Sequence, residues 1–314
     1  MDNFRTFVVV NPRSANGSTG RRWSDISRHI ELAVGKFKYA FSEAPRHATD
    51  LARKALQDGA EMIVSIGGDG THNEVVNGFF DEGGELIREK AVFGIISRGT
   101  GCDLIKTLHL PKGYEKGAQV LAGKNTRPVD VGQMRCVPGD GGPALRHFIN
   151  ITDFGVGGHV VHIVNNTTKA FGGKVSFYLG TARGMMGYKN QPMKIELEGT
   201  ETGAEVFEGV FNNVIVANGR FFGSGMHIAP MAEPDDGLFD VVFMGDLKFG
   251  ETMKLSRAIY QGAHMEHPKI WHRRAKKIRA SSEQEVLIDM DGEQPGALPL
   301  SIEVLPAAIQ VKIP

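Results

Sequence analysis

Three glycines surround Asp69 in the sequence SIGGDGTHNE, residues 65–74, which follows directly on an apolar segment. Glycines allow backbone N–H groups to approach a ligand closely, and a helix that begins near Thr71 points the positive end of its dipole at the same place. This combination favours a bound phosphate group. A capping box of Thr71 and Glu74 explains the helix start equally well, but it leaves Asp69 in the turn without a role.

Two further loops of small residues follow apolar segments in the first half of the chain. The stretch NPRSANGSTG offers Asn11, Arg13 and Ser14 as donors, and SRGTG, residues 97–101, follows a later segment. Ordinary turns explain one such loop more easily than three in one domain. The P-loop and dinucleotide-binding motifs are absent from the sequence, so the pattern predicts a nucleotide site of another type.

The elements that must position these loops are predicted from the hydrophobic pattern. The first part of the chain alternates short apolar runs with amphipathic stretches, which is typical of a layered α/β domain with a parallel sheet. Strands are predicted at Thr6–Val10, Lys38–Phe41, Met62–Ile66 and Ala91–Ile96. Strand-like segments dominate after Pro128. We therefore expect an α/β nucleotide domain over 1–128 and a mainly β domain over 129–314, whose last strand could return to the first domain.

Composition narrows the classes of protein. Lys plus Arg equal Asp plus Glu at 36 each, which argues against a nucleic-acid partner. Cys102 and Cys136 are the only cysteines, too few for a disulfide framework or a thiolate metal site. The sequence shows no signal peptide and no apolar run of the ~20 residues that span a bilayer. We expect a soluble cytoplasmic protein.

The stretch GGDGTHNEVVNG, residues 67–78, resembles the signature of the diacylglycerol kinase catalytic-domain family, which includes soluble bacterial lipid kinases and is related to sphingosine kinases. The blocks VVNPRSANG, RPVDVG, FINITDFGVGG, VIVANGRFFGSGMHIAPMAEPDDGLFDVVFM and DMDGE are similar to the family's successive blocks, in the same order. GGDGT alone is also similar to NAD kinases, whereas the long block and DGE favour the lipid branch. The resemblance implies phosphorylation of a lipid hydroxyl with ATP and Mg²⁺.

The resemblance also implies roles for individual residues. It places the family's ATP-contacting positions on Asn11, Pro12, Arg13, Ser14, Ala15, Ser42, Gly68, Asp69, Gly70, Thr71, His72, Asn73, Glu74 and Thr100. It places magnesium on Asp236, with Glu233 and the Leu238 carbonyl as companions, and the catalytic base on Glu293. Because Mg²⁺ prefers oxygen ligands and keeps several waters, Asp69 and Asp236 could share one hydrated ion during catalysis. Glu293 could accept the proton of the attacking hydroxyl.

Two alternatives stay open on the sequence alone: a kinase of a soluble metabolite such as NAD, and a non-catalytic nucleotide-binding module with a regulatory role. A lipid substrate would be met at a membrane surface, where the five cations of WHRRAKKIRA, residues 271–280, are suited to anionic lipid. A solvated strand face explains that run as well. Apolar groups suited to acyl chains or to core packing are Phe177, Tyr178, Met185, Met186 and Tyr188. Neither the particular lipid nor the oligomeric state, a homodimer included, follows from the sequence.

Overall fold

The structure, a computed structural model, describes residues 4–139, 141–166 and 187–314. The helices are α1 Ser18–Arg21, α2 Trp23–Val34, α3 His47–Gln57, α4 Asp69–Asn77, α5 Asp103–Thr107, α6 Tyr114–Ala122, α7 Val156–Asn166 and α8 Phe249–Gln261. The strands are β1 Thr6–Val10, β2 Lys38–Phe41, β3 Met62–Gly67, β4 Val92–Ser97, β5 Thr126–Pro138, β6 Leu145–Phe148, β7 Ile151–Gly155, β8 Gln191–Thr200, β9 Gly203–Phe211, β10 Asn213–Ala217, β11 Phe239–Met244, β12 Ile270–Ala275, β13 Lys277–Ser281, β14 Ile288–Met290 and β15 Gly296–Lys312.

Strands β1 to β4 form a parallel sheet in the order β2-β1-β3-β4. Strands β3 and β4 are buried along their whole length, since helices cover both faces of the sheet. Helices α2 and α6 pack on one face, and α3, α4 and α5 pack on the other. The predicted α/β class is confirmed. The carboxyl ends of β1, β3 and β4 are neighbours, so the three loops of small residues lie together.

The last strand joins the two halves of the chain. Gln310 and Val311 of β15 pair in parallel with Val92 and Phe93 of β4, while the rest of β15 pairs antiparallel with β5 and β13. A single ten-stranded sheet therefore runs through both halves in the order β2-β1-β3-β4-β15-β13-β8-β9, with β5 between β15 and β6. The long strands β5 and β15 connect the halves, where the sequence had suggested a change of domain near Pro128.

A second, five-stranded sheet has the order β12-β11-β10-β7-β14. Its inner face packs on the first sheet through a core that includes Phe154, Phe239 and Phe243. Its outer face carries α8 and the loop of residues 219–233. The predicted mainly β second half is thus confirmed. Phe177, Tyr178, Met185 and Met186 lie outside the described residues.

No helix within the described ranges is long and apolar enough to cross a membrane.

Asp130 in β5 fastens three segments at the junction of the two halves. Its side chain is buried, and its two carboxylate oxygens accept the N–H groups of Ala307 at 2.6 Å and Gly237 at 2.7 Å. Its carbonyl accepts the Asn218 amide at 2.9 Å. Because the carboxylate is a charged acceptor, both hydrogen bonds are of the stronger kind.

Replacing Asp130 with alanine should therefore lower the free energy of unfolding by about 1–3 kcal/mol, since two N–H groups lose a charged acceptor. Urea denaturation measures the change. The control is Asp58→Ala, which removes an exposed carboxylate paired with Lys54 at 3.2 Å and should have little effect. Equal effects from the two substitutions would contradict a structural role for Asp130.

Candidate active site

Three loops at the carboxyl ends of the parallel strands are joined by hydrogen bonds. The Asn11 amide, just after β1, donates to the Thr71 hydroxyl in the first turn of α4 at 3.0 Å. After β4, the backbone N–H of Arg98 donates to the Gly67 carbonyl. The Arg98 guanidinium donates to the Ser18 hydroxyl at 2.8 Å. The loops that the sequence predicts as phosphate-binding elements are thus brought into one cradle.

The glycines of this cradle have two different surroundings. A Cβ atom on Gly99 would lie 2.7 Å from the Cα atom of Gly68, so these two glycines permit close packing of the loops. A Cβ atom on Gly70 would meet nothing nearer than the Glu293 Oε1 atom at 3.6 Å. The Glu293 carboxylate therefore lies within contact distance of the first turn of α4. N–H groups at a helix start can bind a phosphate, which here would lie beside this carboxylate.

Asp69 is held at the edge of the cradle by the start of α5. Its Oδ1 atom accepts the N–H groups of Asp103 at 3.1 Å and Leu104 at 3.4 Å. Burial raises the pKa of Asp69, and these N–H groups act in the opposite direction. The neighbouring Asp103 accepts Lys106 Nζ at 2.6 Å and the Ser224 N–H at 2.8 Å. The acidic edge of the cradle is thus rigidly positioned and carries one lysine.

The DMDGE segment brings the second half of the chain onto α4. Asp291 is buried within this turn, and its Oδ2 atom accepts the Asn73 amide at 2.7 Å and the Ile149 N–H at 3.1 Å. Its Oδ1 atom accepts the Ile151 N–H at 2.8 Å. Burial raises the pKa of Asp291 to about 6 against the effect of these donors. The Asp291 contacts therefore fix the turn that carries Glu293.

Glu293 follows in the same turn, where its backbone N–H and carbonyl pair with those of Met290. Its side chain is partly exposed. It also lines a cavity of about 430 Å³ between α3, α4 and β6, whose other residues include Arg46, Arg53, Asn77 and Leu145. Glu293 therefore lies next to Gly70 in the first turn of α4 and also lines this cavity.

Several predicted ATP contacts have other partners for their side chains. The His72 side chain is fully buried and hydrogen-bonds the Ser65 hydroxyl at 2.8 Å; burial lowers its pKa to about 3, so it stays neutral. The Glu74 carboxylate accepts the Ala48 N–H at 3.1 Å at the start of α3. Asn73 binds Asp291, as described above. These three side chains hold α4 in place, which differs from the direct ATP contact that the resemblance implies.

The remaining predicted ATP positions surround the cradle. Ser42 follows β2, and its N–H donates to the Val10 carbonyl at 2.8 Å. The Ser14 hydroxyl donates to the Asn11 carbonyl at 2.9 Å, and Ala15 has a φ of 51°, so Pro12 to Ala15 form a tight turn. Thr100 is exposed in the SRGTG loop. Their placement is compatible with a nucleotide lying across the three loops.

The carboxylates predicted to bind magnesium form ion pairs with arginines. Asp236 forms an ion pair with Arg274 and accepts the Leu238 N–H at 3.1 Å, while Glu233 forms an ion pair with Arg220. In the part of the chain that the structure describes, no group of three or more His, Cys, Asp or Glu side chains is arranged to hold a metal ion. Guanidinium groups here take the place that a cation would fill, so these residues do not fit a magnesium site in this structure.

The shared ion predicted for Asp69 and Asp236 has no geometric support either. The hydrogen bonds of Asp69 go to the start of α5, whereas Asp236 is bound to Arg274 in β12. The shared ion therefore stays a prediction.

A buried pair of carboxylates next to the DMDGE turn was missed by sequence reasoning. Asp153 in β7 lies opposite Asp289 in β14, and neither oxygen of Asp153 has a hydrogen-bond partner among the described residues. Asp289 accepts the Gly292 N–H at 2.8 Å. Burial raises the pKa of Asp153, and burial together with the Asp153 charge raises that of Asp289 well above its usual range. Such a pair retains a proton at pH values where an exposed carboxyl group has lost it.

A glycine turn at a helix start with a carboxylate beside it is compatible with a phosphotransferase of the two-domain kinase class. Residues 5–134 match the family model of the diacylglycerol kinase catalytic domain. Residues 150–313 match that of the YegS C-terminal NAD kinase beta sandwich-like domain. The chain therefore belongs to the diacylglycerol kinase family, and it is a lipid kinase, an enzyme that transfers a phosphoryl group to an alcohol acceptor.

Similar proteins cover the whole chain. It is 27% identical to a diacylglycerol kinase of Staphylococcus carnosus, over 99% of this chain and 95% of the relative. It is 26% identical to a diacylglycerol kinase of Bacillus subtilis, over 99% and 96%. A Bacillus anthracis structure provisionally described as a diacylglycerol kinase has a TM-score of 0.79 at 25% identity, with 100% and 97% covered. Yeast NADH kinase, with a TM-score of 0.53 at 9% identity, shares the fold.

The buried carboxylate pair predicts a pH-dependent stability. The folded protein keeps a proton on Asp153 that the unfolded chain releases near pH ~4, so this pair lowers the free energy of unfolding as pH rises from there towards neutrality. Asp153→Asn should remove that loss and stabilise the protein by about 2 kcal/mol more at pH 8 than at pH 4. Urea denaturation at both pH values measures the difference. Parallel pH profiles of the two proteins would refute the shared proton.

The two kinds of glycine predict opposite outcomes. Gly70→Ala should keep the free energy of unfolding or raise it slightly, because alanine favours a helix over glycine by about 0.5–1 kcal/mol. Its methyl group should weaken ATP binding, measured by calorimetry, because it enters the phosphate space. Gly99→Ala should instead destabilise the fold, since its Cβ would lie 2.7 Å from Gly68 Cα. Unchanged ATP affinity in Gly70→Ala would contradict the phosphate assignment.

Proposed function

We propose that the protein transfers the terminal phosphoryl group of ATP to the hydroxyl of a diacylglycerol-like lipid, with magnesium and with Glu293 as general base. One observation carries the proposal. Glu293 lies beside Gly70 in the first turn of α4 and also lines the cavity of about 430 Å³ behind α4. A base in this position can face a nucleotide phosphate on one side and an acceptor hydroxyl on the other.

The nucleotide side is supplied by the cradle. Helix α4 begins at Asp69, between Gly68 and Gly70, so its first N–H groups can approach a phosphate closely. Asn11, tied to Thr71, keeps the first loop beside it. When bound, magnesium would neutralise charge across the phosphates. Asp69 offers the carboxylate nearest to the turn for this purpose, whereas Asp236 is held by Arg274 and is assigned no role in the transfer.

The acceptor side requires a base because an alcohol does not ionise near neutral pH. Glu293 accepts the hydroxyl proton as the new O–P bond forms and the bond to the leaving phosphate breaks. Its turn is fixed by the Asp291 contacts, which keep the carboxylate beside the glycine turn throughout the reaction. Positioning of this kind contributes as much to phosphoryl transfer as the proton transfer itself.

A lipid acceptor is favoured over a soluble metabolite by the relatives. Those that match nearly the full length of this chain are named diacylglycerol kinases, whereas the likeness to yeast NADH kinase shows the fold alone. A non-catalytic regulatory module would not require Glu293 to be held next to the glycine turn. These arguments support a diacylglycerol-like acceptor.

Glu293→Gln should cut turnover by roughly 10²–10⁴ while leaving ATP affinity nearly unchanged, because glutamine keeps the size of the side chain but cannot accept the proton. The measurement is incubation with labelled ATP, magnesium and a total lipid extract, followed by identification of the labelled lipid. Diacylglycerol added to the extract should increase the labelled product.

The matched control is Glu285→Gln, which alters an exposed carboxylate a few residues earlier in the chain and should leave turnover intact. Near-normal turnover of Glu293→Gln would show that another group takes the proton. Label that appears in NAD and in no lipid would replace the proposed acceptor with a soluble one.

A further inference from the structure

Helix α8 carries a stripe of exposed apolar side chains. Phe249, Met253 and Tyr260 are each about 45% exposed. Their spacing of four and seven residues places them on one face of the helix. The opposite side of α8, with Leu255 and Ile259, is buried against the five-stranded sheet. The stripe is therefore additional to the face that the fold itself requires.

Cations border this stripe. Lys254 and Arg257 are exposed on the same helix, and Lys248 precedes its first residue. Within the described part of the chain, none of the three has an ion-pair partner. The acid of the helix, Glu251, is bound by Lys269 at 2.9 Å. An apolar stripe beside uncompensated cations is the pattern of helices that lie on an anionic lipid surface.

The basic run of residues 271–280, which the sequence favours for this role, has a different environment. Four of its five cations are paired with acids from other parts of the chain: Arg273 with Glu205, Arg274 with Asp236, Lys277 with Glu303 and Arg279 with Glu198. Its charge is therefore largely neutralised within the protein. We define the α8 surface as Lys248, Phe249, Met253, Lys254, Arg257 and Tyr260. This surface is better suited to an anionic partner than the basic run is.

The 219–233 loop connects this surface to the candidate active site. The N–H of His227 donates to the Ile259 carbonyl in the last turn of α8 at 3.1 Å. In the same loop, the N–H of Ser224 donates to the Asp103 carboxylate at 2.8 Å. Asp103 begins α5, whose first N–H groups hold Asp69. The surface and the nucleotide cradle thus share one supporting loop.

We infer that the α8 surface docks the enzyme on an anionic lipid bilayer. This inference rests on the proposed function, because a lipid acceptor resides in a membrane. The apolar stripe enters the headgroup region, and Lys254, Arg257 and Lys248 contact lipid phosphates. The occupant is a lipid surface, since a second copy of the chain would meet like charges across such an interface.

The test measures co-sedimentation with vesicles of phosphatidylglycerol and phosphatidylcholine, and with phosphatidylcholine alone, in the absence of ATP. Lys254→Gln/Arg257→Gln should weaken binding to the anionic vesicles by about tenfold or more, at about fivefold per cation. The matched control removes equal charge from the basic run, Arg273→Gln/Lys277→Gln, and should change binding by less than about twofold. Met253→Ser should weaken binding without altering net charge.

Three results would overturn the inference. Equal loss of binding in both charge variants would show that general charge, and not this surface, attracts the vesicles. Unchanged binding of both Lys254→Gln/Arg257→Gln and Met253→Ser would exclude α8 from the contact. A wild-type dimer that Met253→Ser converts to a monomer, measured by light scattering, would assign the surface to a second copy.

Turnover on a short-chain, water-soluble diacylglycerol separates this inference from the proposed function. The α8 variants should phosphorylate it like the wild type, because the surface lies outside the candidate active site. If no lipid is phosphorylated by the wild type but vesicle binding still depends on α8, the proposed function fails and the docking surface stands. If the wild type phosphorylates the soluble lipid and no variant changes vesicle binding, the reverse holds.

Discussion

The buried carboxylate of Asp291 is the contact on which the geometry of the candidate site depends. It accepts N–H groups from Ile149 and Ile151 on the β-rich side and the amide of Asn73 in α4. A buried anion depends on its donors, since loss of any of them leaves charge uncompensated away from water. The two halves of the chain are therefore fixed relative to each other here. Glu293 lies two residues later in the same turn, so these contacts also fix its distance from the glycine turn.

Several acidic side chains lie around the proposed phosphate site. Burial raises the pKa of Asp69, Asp103, Asp289 and Asp291, and Lys106 forms an ion pair with Asp103. Adding the negative charge of a nucleotide to such a site is unfavourable unless a cation accompanies it. The electrostatics of the cleft thus provide a reason for magnesium to enter with the nucleotide, independent of any particular protein ligand.

The features that could be predicted from the sequence are those encoded locally. Strands β1 to β4 are apolar runs, and the three loops after them contain the glycines and polar donors that mark them. Contacts between distant segments could not be predicted. An acid in a turn looks the same whether its neighbour is a metal ion or a guanidinium, so the Arg274 partner of Asp236 became visible only in the fold. The same holds for Asp153 and Asp289, which strand register alone brings together.

Whether a run of charges in the sequence predicts a charged surface also depends on contacts between distant segments. The cations of strands β12 and β13 and those of helix α8 differ in this respect. In a sheet, each side chain has neighbours on two adjacent strands, so the cations of β12 and β13 meet acids such as Glu198 and Glu303 that are remote in sequence. On α8, Lys254 and Arg257 have no ion-pair partner among the described residues, although Glu251 of the same helix is bound by Lys269. The dense basic run in the strands therefore predicts more positive surface charge than the fold leaves unpaired. The sparser cations of α8 predict less, although they are unpaired among the described residues. The 219–233 loop is hydrogen-bonded both to α8 and to Asp103. A bilayer bound at α8 would therefore contact a helix that is linked through this loop to the nucleotide cradle.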